Sequence, residues 1–379
     1  MDAIEVSVVF PCLNEQESIG GCIQKAFSVI KESGLSGEVI VSDNGSTDNS
    51  VEIARSLGAK VVQQPEKGYG NAYLKGFAEA KGAFVVMADS DSTYDISEMG
   101  ALIEKLKSGY EMVIGSRFKG KILKGAMPWP NRYIGNPILT GFLNIFFNSK
   151  VSDAHSGFRA MTADALKKLK LNTGGMEFAS EMVIKAIKAK LKMAEVPITY
   201  YPRQGKSKLN PFPDAWRHMR FMLLYSPNYL FLIPGGFLFI LGLLVLLLSG
   251  WQKLVLFGHR FDIHAMVFSS AFCLLGFQII NLGLYAKTYA LLAGFEEKDP
   301  LLQKFYAKFN LEKGLILGAL VFLLGFSGLI AIFYRWVSEG FGPLNEVRLA
   351  LFSLTFMVMG IQTIFSSFFL SLLGIERKR

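Results

Sequence analysis

The sequence contains few cysteines and none of the cysteine patterns that bind zinc or form a disulfide framework. Its three cysteines, Cys12, Cys22 and Cys273, lie far apart along the chain. Because they lack paired spacing, they predict neither a zinc site nor a disulfide scaffold, and a reducing compartment fits the N-terminal part of the chain. The first residues also lack the basic stretch and long apolar core of a secretory signal, so we expect this part to stay in the cytoplasm.

The chain also lacks a recognisable nucleic-acid-binding module, although 40 lysines and arginines against 31 acidic residues give it a formal net charge of +9. Many basic residues are concentrated between residues 201 and 220: Arg203, Lys206, Lys208, Arg217 and Arg220. This cluster directly precedes an apolar segment, and such clusters are attracted to anionic lipid headgroups or to a lipid phosphate. We therefore expect a membrane partner and no nucleic acid.

Long apolar runs are missing from the first 225 residues and dominate the rest of the chain. Four runs reach the roughly 20 residues that a helix needs to cross a bilayer; they are 229–248, 266–285, 315–334 and 350–372. Basic residues are concentrated in the connection after the second run and at the C-terminus. Because basic loops usually lie on the cytoplasmic side, this distribution predicts that both termini are cytoplasmic. We expect a multi-pass protein of the plasma membrane, whose transmembrane helices could also associate copies of the chain as a homo-oligomer.

Residues 1–208 alternate short β-branched runs with segments of helical periodicity, which predicts an α/β domain with a doubly wound, mostly parallel sheet. Residues 209–228 mix aromatic, aliphatic and basic side chains, as a helix in the plane of the lipid headgroups does. A linker helix packed on the first domain is the alternative. The predicted organisation is a globular domain, this juxtamembrane helix, and a membrane domain of about four helices over residues 229–379.

Polar residues follow five predicted strands, at the carboxyl ends where such sheets bind ligands. Asp89 and Asp91 supply the oxygen ligands with which Mg²⁺ or Mn²⁺ can hold a diphosphate, although many Asp-x-Asp triplets are turn residues. Asp43 can accept hydrogen bonds from a nucleobase or form the turn that follows it. Glu15 can accept from a ribose or a base. Lys67 stands in a glycine loop that can bind phosphate or simply turn.

Six short motifs occur in an order that resembles glycosyltransferase family 2, and within it the polyprenyl (dolichyl) phosphate mannose and glucose synthases. They are Pro11-Cys12-Leu13-Asn14-Glu15, Asp43-Asn44-Gly45-Ser46-Thr47-Asp48, Lys67-Gly68-Tyr69-Gly70-Asn71-Ala72, Ala88-Asp89-Ser90-Asp91, Gly115-Ser116-Arg117-Phe118 and Asp153-Ala154-His155-Ser156-Gly157-Phe158-Arg159. The resemblance covers roughly residues 5–208 and implies a GT-A fold for this domain. One departure is Asn44, which stands where the family often has a second acid.

The resemblance also implies a role for each matching residue. The implied nucleotide-binding residues are Pro11, Leu13, Glu15, Asp43, Lys67 and Asp89, and the implied metal ligands are Asp89 and Asp91. The implied acceptor-phosphate residues are Arg117, Arg132, Arg203 and Lys206. The implied catalytic residues are Asp91, Asp153 and Arg117. From the residues alone, each arginine could equally be a solvated surface residue, and Asp153 could cap the turn at Ser156. His155 receives no role.

The activity that this resemblance implies is inverting transfer of a hexose from UDP-glucose or GDP-mannose to a polyprenyl or dolichyl phosphate at the cytoplasmic membrane face. The segment 131–136 resembles the glucose-type relatives and slightly favours UDP-glucose. A processive polysaccharide synthase is one alternative, but its Gln-x-x-Arg-Trp signature is missing where Ala215-Trp216-Arg217-His218 stands. A non-catalytic membrane scaffold or nucleotide-sugar sensor is another, although such a role does not require the full set of acids and Arg117.

Overall fold

A computed structural model describes residues 4–204, 211–250, 255–256, 259–260, 262–292 and 300–375. The chain divides into two compact units, Met1–Met222 and Leu223–Arg379. This division falls inside the predicted juxtamembrane helix and not at either end of it. Two members of the predicted basic cluster, Lys206 and Lys208, lie outside the described residues.

A seven-stranded sheet forms the core of the first unit, in the order β3-β2-β1-β4-β6-β5-β7. Its strands are β1 (Val6–Cys12), β2 (Gly37–Asp43), β3 (Lys60–Gln63), β4 (Phe84–Met87), β5 (Met112–Ile122), β6 (Arg159–Thr162) and β7 (Met193–Tyr200). All neighbouring strands are parallel except at β6, which runs antiparallel to β4 and β5. The predicted α/β class with a mostly parallel sheet is confirmed. The sequence pattern predicts five of the seven strands and misses β6 and β7. Strand β6 is short and opens on the charged Arg159, and Pro197 interrupts β7, where a proline argues against a strand.

Helices cover the sheet of the first unit. They are α1 (Ile19–Glu32), α2 (Ser50–Ser56), α3 (Tyr69–Glu79), α4 (Met99–Lys107), α5 (Asn136–Phe147), α6 (Ala163–Leu169), α7 (Phe178–Lys188) and α8 (Pro211–Leu224), with a 3₁₀ turn at Ile96–Glu98 and a π turn at Asn131–Gly135. In α1, Ile19, Ile23 and Ile30 are buried at the spacing of one helical face, which is why this helix packs on the sheet. In β1, Val8 and Val9 are both buried, because layers cover both faces of a central parallel strand.

Four long apolar helices dominate the second unit. The stretches long and apolar enough to cross a membrane are Asn228–Gly250, Ile263–Leu291, Leu311–Ser338 and Val347–Gly374. The elements are a π turn (Asn228–Leu232), α9 (Ile233–Gly250), β8 (Val255–Leu256), β9 (His259–Arg260), α10 (Ile263–Leu292), α11 (Pro300–Lys308), α12 (Leu311–Ser338) and α13 (Val347–Ile375). All four predicted spans are confirmed, each inside one of these longer helical stretches.

The contact between α9 and α10 depends on a glycine. A Cβ atom on Gly242 of α9 would lie 2.4 Å from the backbone nitrogen of Cys273 in α10. Glycine lets apolar helices approach this closely, which matters in lipid because burial of apolar surface no longer drives association. Gly236, in the same helix, faces open space, since its Cβ would meet nothing within 4 Å.

We expect Gly242→Leu to destabilise the second unit by about 1–3 kcal/mol, the usual cost of forcing extra volume into a packed contact. The matched variant Gly236→Leu should have little effect, because its side chain would project into open space. The measurement is thermal unfolding of both variants in detergent. Equal melting temperatures for the two variants would show that this contact is not tight.

Candidate active site

The carboxyl ends of β1, β2 and β4 meet at one edge of the sheet, because these strands are parallel neighbours. Their register pairs Cys12 at the end of β1 with Asp43 at the end of β2. The segment after β4 is tied to the same edge, since Ser90 Oγ donates a 2.6 Å hydrogen bond to the carbonyl of Pro11. The predicted nucleotide-binding residues at this edge or in the loops directly after it are Pro11, Leu13, Glu15, Asp43 and Asp89.

Asp43 forms the turn that follows β2. Its carboxylate is buried and accepts hydrogen bonds from the backbone N–H groups of Gly45 and Ser46, each over 3.1 Å. The turn-forming role that the sequence left open is therefore present in the structure. A carboxylate can accept about four hydrogen bonds, so the turn does not use the full capacity of Asp43. The predicted hydrogen bond from a nucleobase is therefore compatible with this turn.

Asn44 fixes the glycine loop that contains Lys67. Its amide nitrogen donates to the carbonyls of Gln64 and Glu66 over 2.9 and 2.8 Å, and its amide oxygen accepts from the N–H of Gly68 over 2.8 Å. Lys67 Nζ in turn donates to the carbonyl of Asn44 over 2.7 Å. The predicted phosphate-binding lysine is thus held against the turn after β2.

We expect Asn44→Asp to destabilise the protein by about 1–3 kcal/mol, the cost of leaving buried polar groups unsatisfied. A carboxylate at this position would face two carbonyl oxygens that now accept hydrogen bonds. The measurement is thermal unfolding in detergent. Asn49→Asp is the control, because Asn49 is exposed at the start of α2, where Asn and Asp cap helices equally well. Equal unfolding temperatures for the two variants would contradict the role of Asn44.

Asp89 and Asp91 have different surroundings. Asp89 Oδ1 accepts hydrogen bonds from the hydroxyl groups of Tyr69 and Tyr73 over 2.8 and 3.2 Å. Burial, reinforced by the negative charge of Asp91, raises the pKa of Asp89 to about 6. Asp91 Oδ1 instead accepts from the hydroxyl and the N–H of Thr93 over 2.6 and 3.1 Å. The sequence analysis gives neither tyrosine a role, although their spacing of four residues was an available signal.

The donor set of this pair suits a hard divalent ion. Among the described residues, no group of three or more His, Cys, Asp or Glu could hold a metal ion by itself. Two carboxylates leave the remaining coordination positions to phosphate and water oxygens, which is how proteins usually hold Mg²⁺ with a substrate diphosphate. Asp89 and Asp91 therefore fit a metal that arrives together with a nucleotide.

Arg203 contacts two acids of this edge. Its Nη2 lies 2.5 Å from Glu15 Oε1 and its Nη1 lies 3.1 Å from Asp91 Oδ2. A positive charge is thus already present between these acids, which supports the suitability of the site for a cation. The sequence groups Arg203 with the acceptor-phosphate residues, whereas its contacts in the structure are with predicted nucleotide and metal residues. Lys206, of the same predicted group, lies outside the described ranges.

Arg117 and Asp153 form a buried, bidentate ion pair. Arg117 Nε donates to Asp153 Oδ2 over 2.7 Å, and Nη2 donates to Oδ1 over 2.8 Å. Asp153 is fully buried, and Arg117 lies 5.1 Å from the ring centroid of Tyr200. Within the described ranges, Arg117 Nη1 makes no hydrogen bond, whereas Nε and Nη2 both do. Arg117 and Asp153, two of the three predicted catalytic residues, are therefore hydrogen-bonded to each other.

The loop of residues 153–157 connects this ion pair with the carboxylates. It starts at Asp153 and ends at Gly157, where a Cβ atom would lie 2.5 Å from Asp89 Oδ2. Only glycine allows the backbone to approach the carboxylate this closely. Tyr94 Oη accepts a 2.7 Å hydrogen bond from the N–H of Gly157 and fixes this end. One short loop thus contacts Arg117 at one end and Asp89 at the other.

Arg132 lies in the segment that leads into α5. Its guanidinium lies 5.4 Å from the ring centroid of Tyr133, in the π turn before α5. The surrounding segment exposes a row of large apolar side chains, which we call the apolar stripe: Trp129, Tyr133, Ile134, Ile138, Phe142 and Ile145. Trp129 and Ile145 are more than 60% exposed, at 64% and 61%. Sequence reasoning missed the stripe, because its helical spacing equally predicts a face buried in a globular core.

Two parts of the chain match family descriptions. Residues 7–170 match "Glycosyl transferase family 2", and residues 284–374 match "Glycosyltransferase family 2 C-terminal transmembrane region". A Haloferax volcanii protein named low-salt glycan biosynthesis hexosyltransferase Agl6 is 40% identical over 372 residues, covering 97% of this chain and 89% of that protein. A Haloferax volcanii dolichyl-phosphate hexose transferase is 32% identical over 212 residues, covering 55% of this chain and 88% of that protein.

A mycobacterial protein of known crystal structure has a similar fold. It aligns with a TM-score of 0.50 at 20% identity, and the alignment covers 59% of this chain and 75% of that chain. At this level of identity, the similarity shows the fold alone.

Proposed function

The chain belongs to glycosyltransferase family 2, and on that basis we propose that it transfers a hexose from a UDP- or GDP-linked donor to a polyprenyl or dolichyl phosphate. The transfer takes place at the cytoplasmic face of the plasma membrane and inverts the anomeric carbon. The observation that carries the proposal is the loop of residues 153–157. It connects Asp89, one of two carboxylates suited to a metal-bound donor diphosphate, with Arg117, which is suited to an acceptor phosphate.

The donor side of the site is the acidic edge. Asp89 and Asp91 would hold Mg²⁺ or Mn²⁺, and the bound ion would supply positive charge for the departing nucleoside diphosphate. Arg203 would leave Glu15 and Asp91 as the donor enters and turn to a phosphate oxygen. Its buried Nε has no hydrogen-bond partner among the described residues, so this side chain has a donor to offer to a phosphate.

The acceptor side of the site is Arg117. Its Nη1 would bind the lipid phosphate, because Asp153 occupies Nε and Nη2. Asp153 would orient Arg117 and remove no proton, since it is fully buried and neutralised. A phosphate monoester has a second pKa of about 6 and is largely dianionic at neutral pH, so its oxygen can attack the anomeric carbon without a general base.

The apolar stripe supports a lipid acceptor. An exposed row of large apolar side chains on a catalytic unit marks a surface that contacts another molecule, and the same chain carries four helices able to cross a bilayer. Trp129 and Tyr133 are the aromatic types that favour the headgroup region. We assign the stripe to the membrane surface, with Arg132 beside it as a second contact for the lipid phosphate.

Transfer of radiolabelled sugar from UDP-glucose, UDP-N-acetylglucosamine and GDP-mannose to a short polyprenyl phosphate tests the proposal. We expect one donor to give a glycolipid when Mn²⁺ or Mg²⁺ is present and none to do so in EDTA, because the two carboxylates need the ion to hold a diphosphate. Polyprenol without the phosphate is the control and should accept no sugar. Absence of transfer from every donor, with nucleotide binding intact, would instead support a nucleotide-sugar sensor.

A further inference from the structure

Two buried polar side chains and one half-buried one connect α8 with the loop of residues 153–157. His218 Nδ1 lies 2.8 Å from Ser180 Oγ, and Ser180 Oγ lies 3.2 Å from His155 Nε2. The two imidazole rings meet edge to face, with their centroids 4.6 Å apart. Ser180 is fully buried and His218 is 7% exposed, so these hydrogen bonds form away from bulk water. We call His218, Ser180 and His155 the histidine bridge.

One end of the histidine bridge lies on the helix that precedes the first membrane span in the sequence. His218 and Met222, four residues apart, are both buried and define the inner face of α8. Trp216 lies on the opposite side and is 61% exposed. The helix therefore packs on the first unit through one face and presents an aromatic residue suited to headgroups on the other. The packed linker helix that the sequence leaves open as an alternative is therefore present, and the contact with lipid headgroups stays a prediction.

The other end of the histidine bridge lies in the loop that the proposed reaction uses. His155 stands between Asp153, which holds Arg117, and Gly157, which contacts Asp89. His155 Nδ1 has no hydrogen-bond partner in the part of the chain that the structure describes. The hydrogen bond to Ser180 is therefore the polar contact that fixes this imidazole ring.

Both imidazoles are neutral at physiological pH. Burial lowers the pKa of His218 to about 4; Asp214 opposes this shift and Arg159 adds to it. Burial, together with the nearby His218, Arg117 and Arg159, holds the pKa of His155 well below its usual range. A serine hydroxyl between two neutral imidazoles donates one hydrogen bond and accepts the other. The bridge is therefore a set of directional contacts and does not supply a proton to the reaction.

We propose that His218 is a positioning residue for the acceptor phosphate, and that it acts through Ser180 and His155 to fix the loop that holds Asp153 and Arg117. The inference rests on the proposed function, because that function gives Arg117 to the acceptor. Because α8 directly precedes the first span in the sequence, the bridge connects the loop of residues 153–157 with the segment next to the membrane domain. The donor edge has contacts of its own besides the bridge: Tyr94 fixes the Gly157 end of the same loop, and Thr93 fixes Asp91.

Steady-state kinetics with both substrates test this role. We expect His218→Ala to lower kcat/KM for polyprenyl phosphate about tenfold, the size of effect seen when a residue supporting a ligand is removed, and to leave KM for the nucleotide sugar unchanged. Ser180→Ala should have the same effect, and Ser180→Ala combined with His218→Ala should cost no more than either alone, because both break one connection.

A matched pair of amides separates positioning from simple packing. The amide of His218→Asn can take the place of imidazole Nδ1 and should restore the contact with Ser180, whereas the longer His218→Gln places its amide near Nε2 and should not. We expect acceptor kinetics near wild type for Asn and a loss close to that of His218→Ala for Gln. Equal activity of the two amides, or an equal change in KM for both substrates, would overturn the role. If the wild-type protein transfers no sugar at all, the proposed function itself fails.

Discussion

Asp91→Asn is expected to lower the rate of hexose transfer by roughly 10²–10³-fold, the range found when one charge-stabilising group is removed from an active site. The amide keeps the size of the side chain, and its oxygen can still accept the hydrogen bonds that Thr93 donates over 2.6 and 3.1 Å. The substitution removes the negative charge that a divalent ion requires. The loss should therefore come from the missing charge, and the measurement is the initial rate over a titration of Mn²⁺.

Asp95→Asn is the matched control for this experiment. Asp95 follows Asp91 in the same segment, pairs with Lys25 over 3.1 Å and caps the backbone N–H of Ser97. Because Asn caps a helix as well as Asp does, we expect little change in rate. A wild-type rate for Asp91→Asn at limiting Mn²⁺ would show that Asp91 is not a metal ligand. A large fall in its unfolding temperature would trace the loss to the fold instead.

Asp153→Asn is expected to destabilise the protein by about 3–5 kcal/mol, because removal of one charge from a buried ion pair leaves the other charge uncompensated. Arg117 would keep its position on the ring of Tyr200. It would lose the carboxylate that accepts hydrogen bonds from its Nε and Nη2. Thermal unfolding in detergent measures the change. We also expect transfer to fall, since Arg117 would no longer be oriented toward the acceptor.

Lys119→Met provides the comparison for this pair. Lys119 also lies on β5 and forms a 2.7 Å ion pair with Glu195, but its side chain is 51% exposed. Exposed pairs contribute about 0–1 kcal/mol, and Glu195 keeps its hydrogen bonds from Ser152. Comparable destabilisation by the two substitutions would show that burial does not give the Arg117–Asp153 pair special importance. An inactive Asp153→Asn with wild-type stability would point to direct contact of Asp153 with substrate.

The sequence alone determined the α/β class of the first unit, the four apolar helices of the second and the edge of the sheet at which the acids lie. Strands such as β1 and β2, and the four apolar helices of the second unit, follow from local patterns of hydrophobicity, because burial in a sheet or in lipid imposes a period or a length on the side chains. Asp43, Asp89 and Glu15 could be assigned to one edge for a similar reason, since parallel neighbouring strands end on the same side.

Only the tertiary structure decided which of these residues contact each other. Arg203 contacts Glu15 across 188 positions of the chain, and Arg117 meets Asp153 across 36; no local pattern encodes such pairs. The close approach of Gly157 to Asp89 and the link from His218 through Ser180 to His155 arise in the same way. Hydrophobic periodicity fixes which face of each element is buried. The pairing of polar groups depends instead on how separate elements pack, because most buried polar groups need a hydrogen-bond partner.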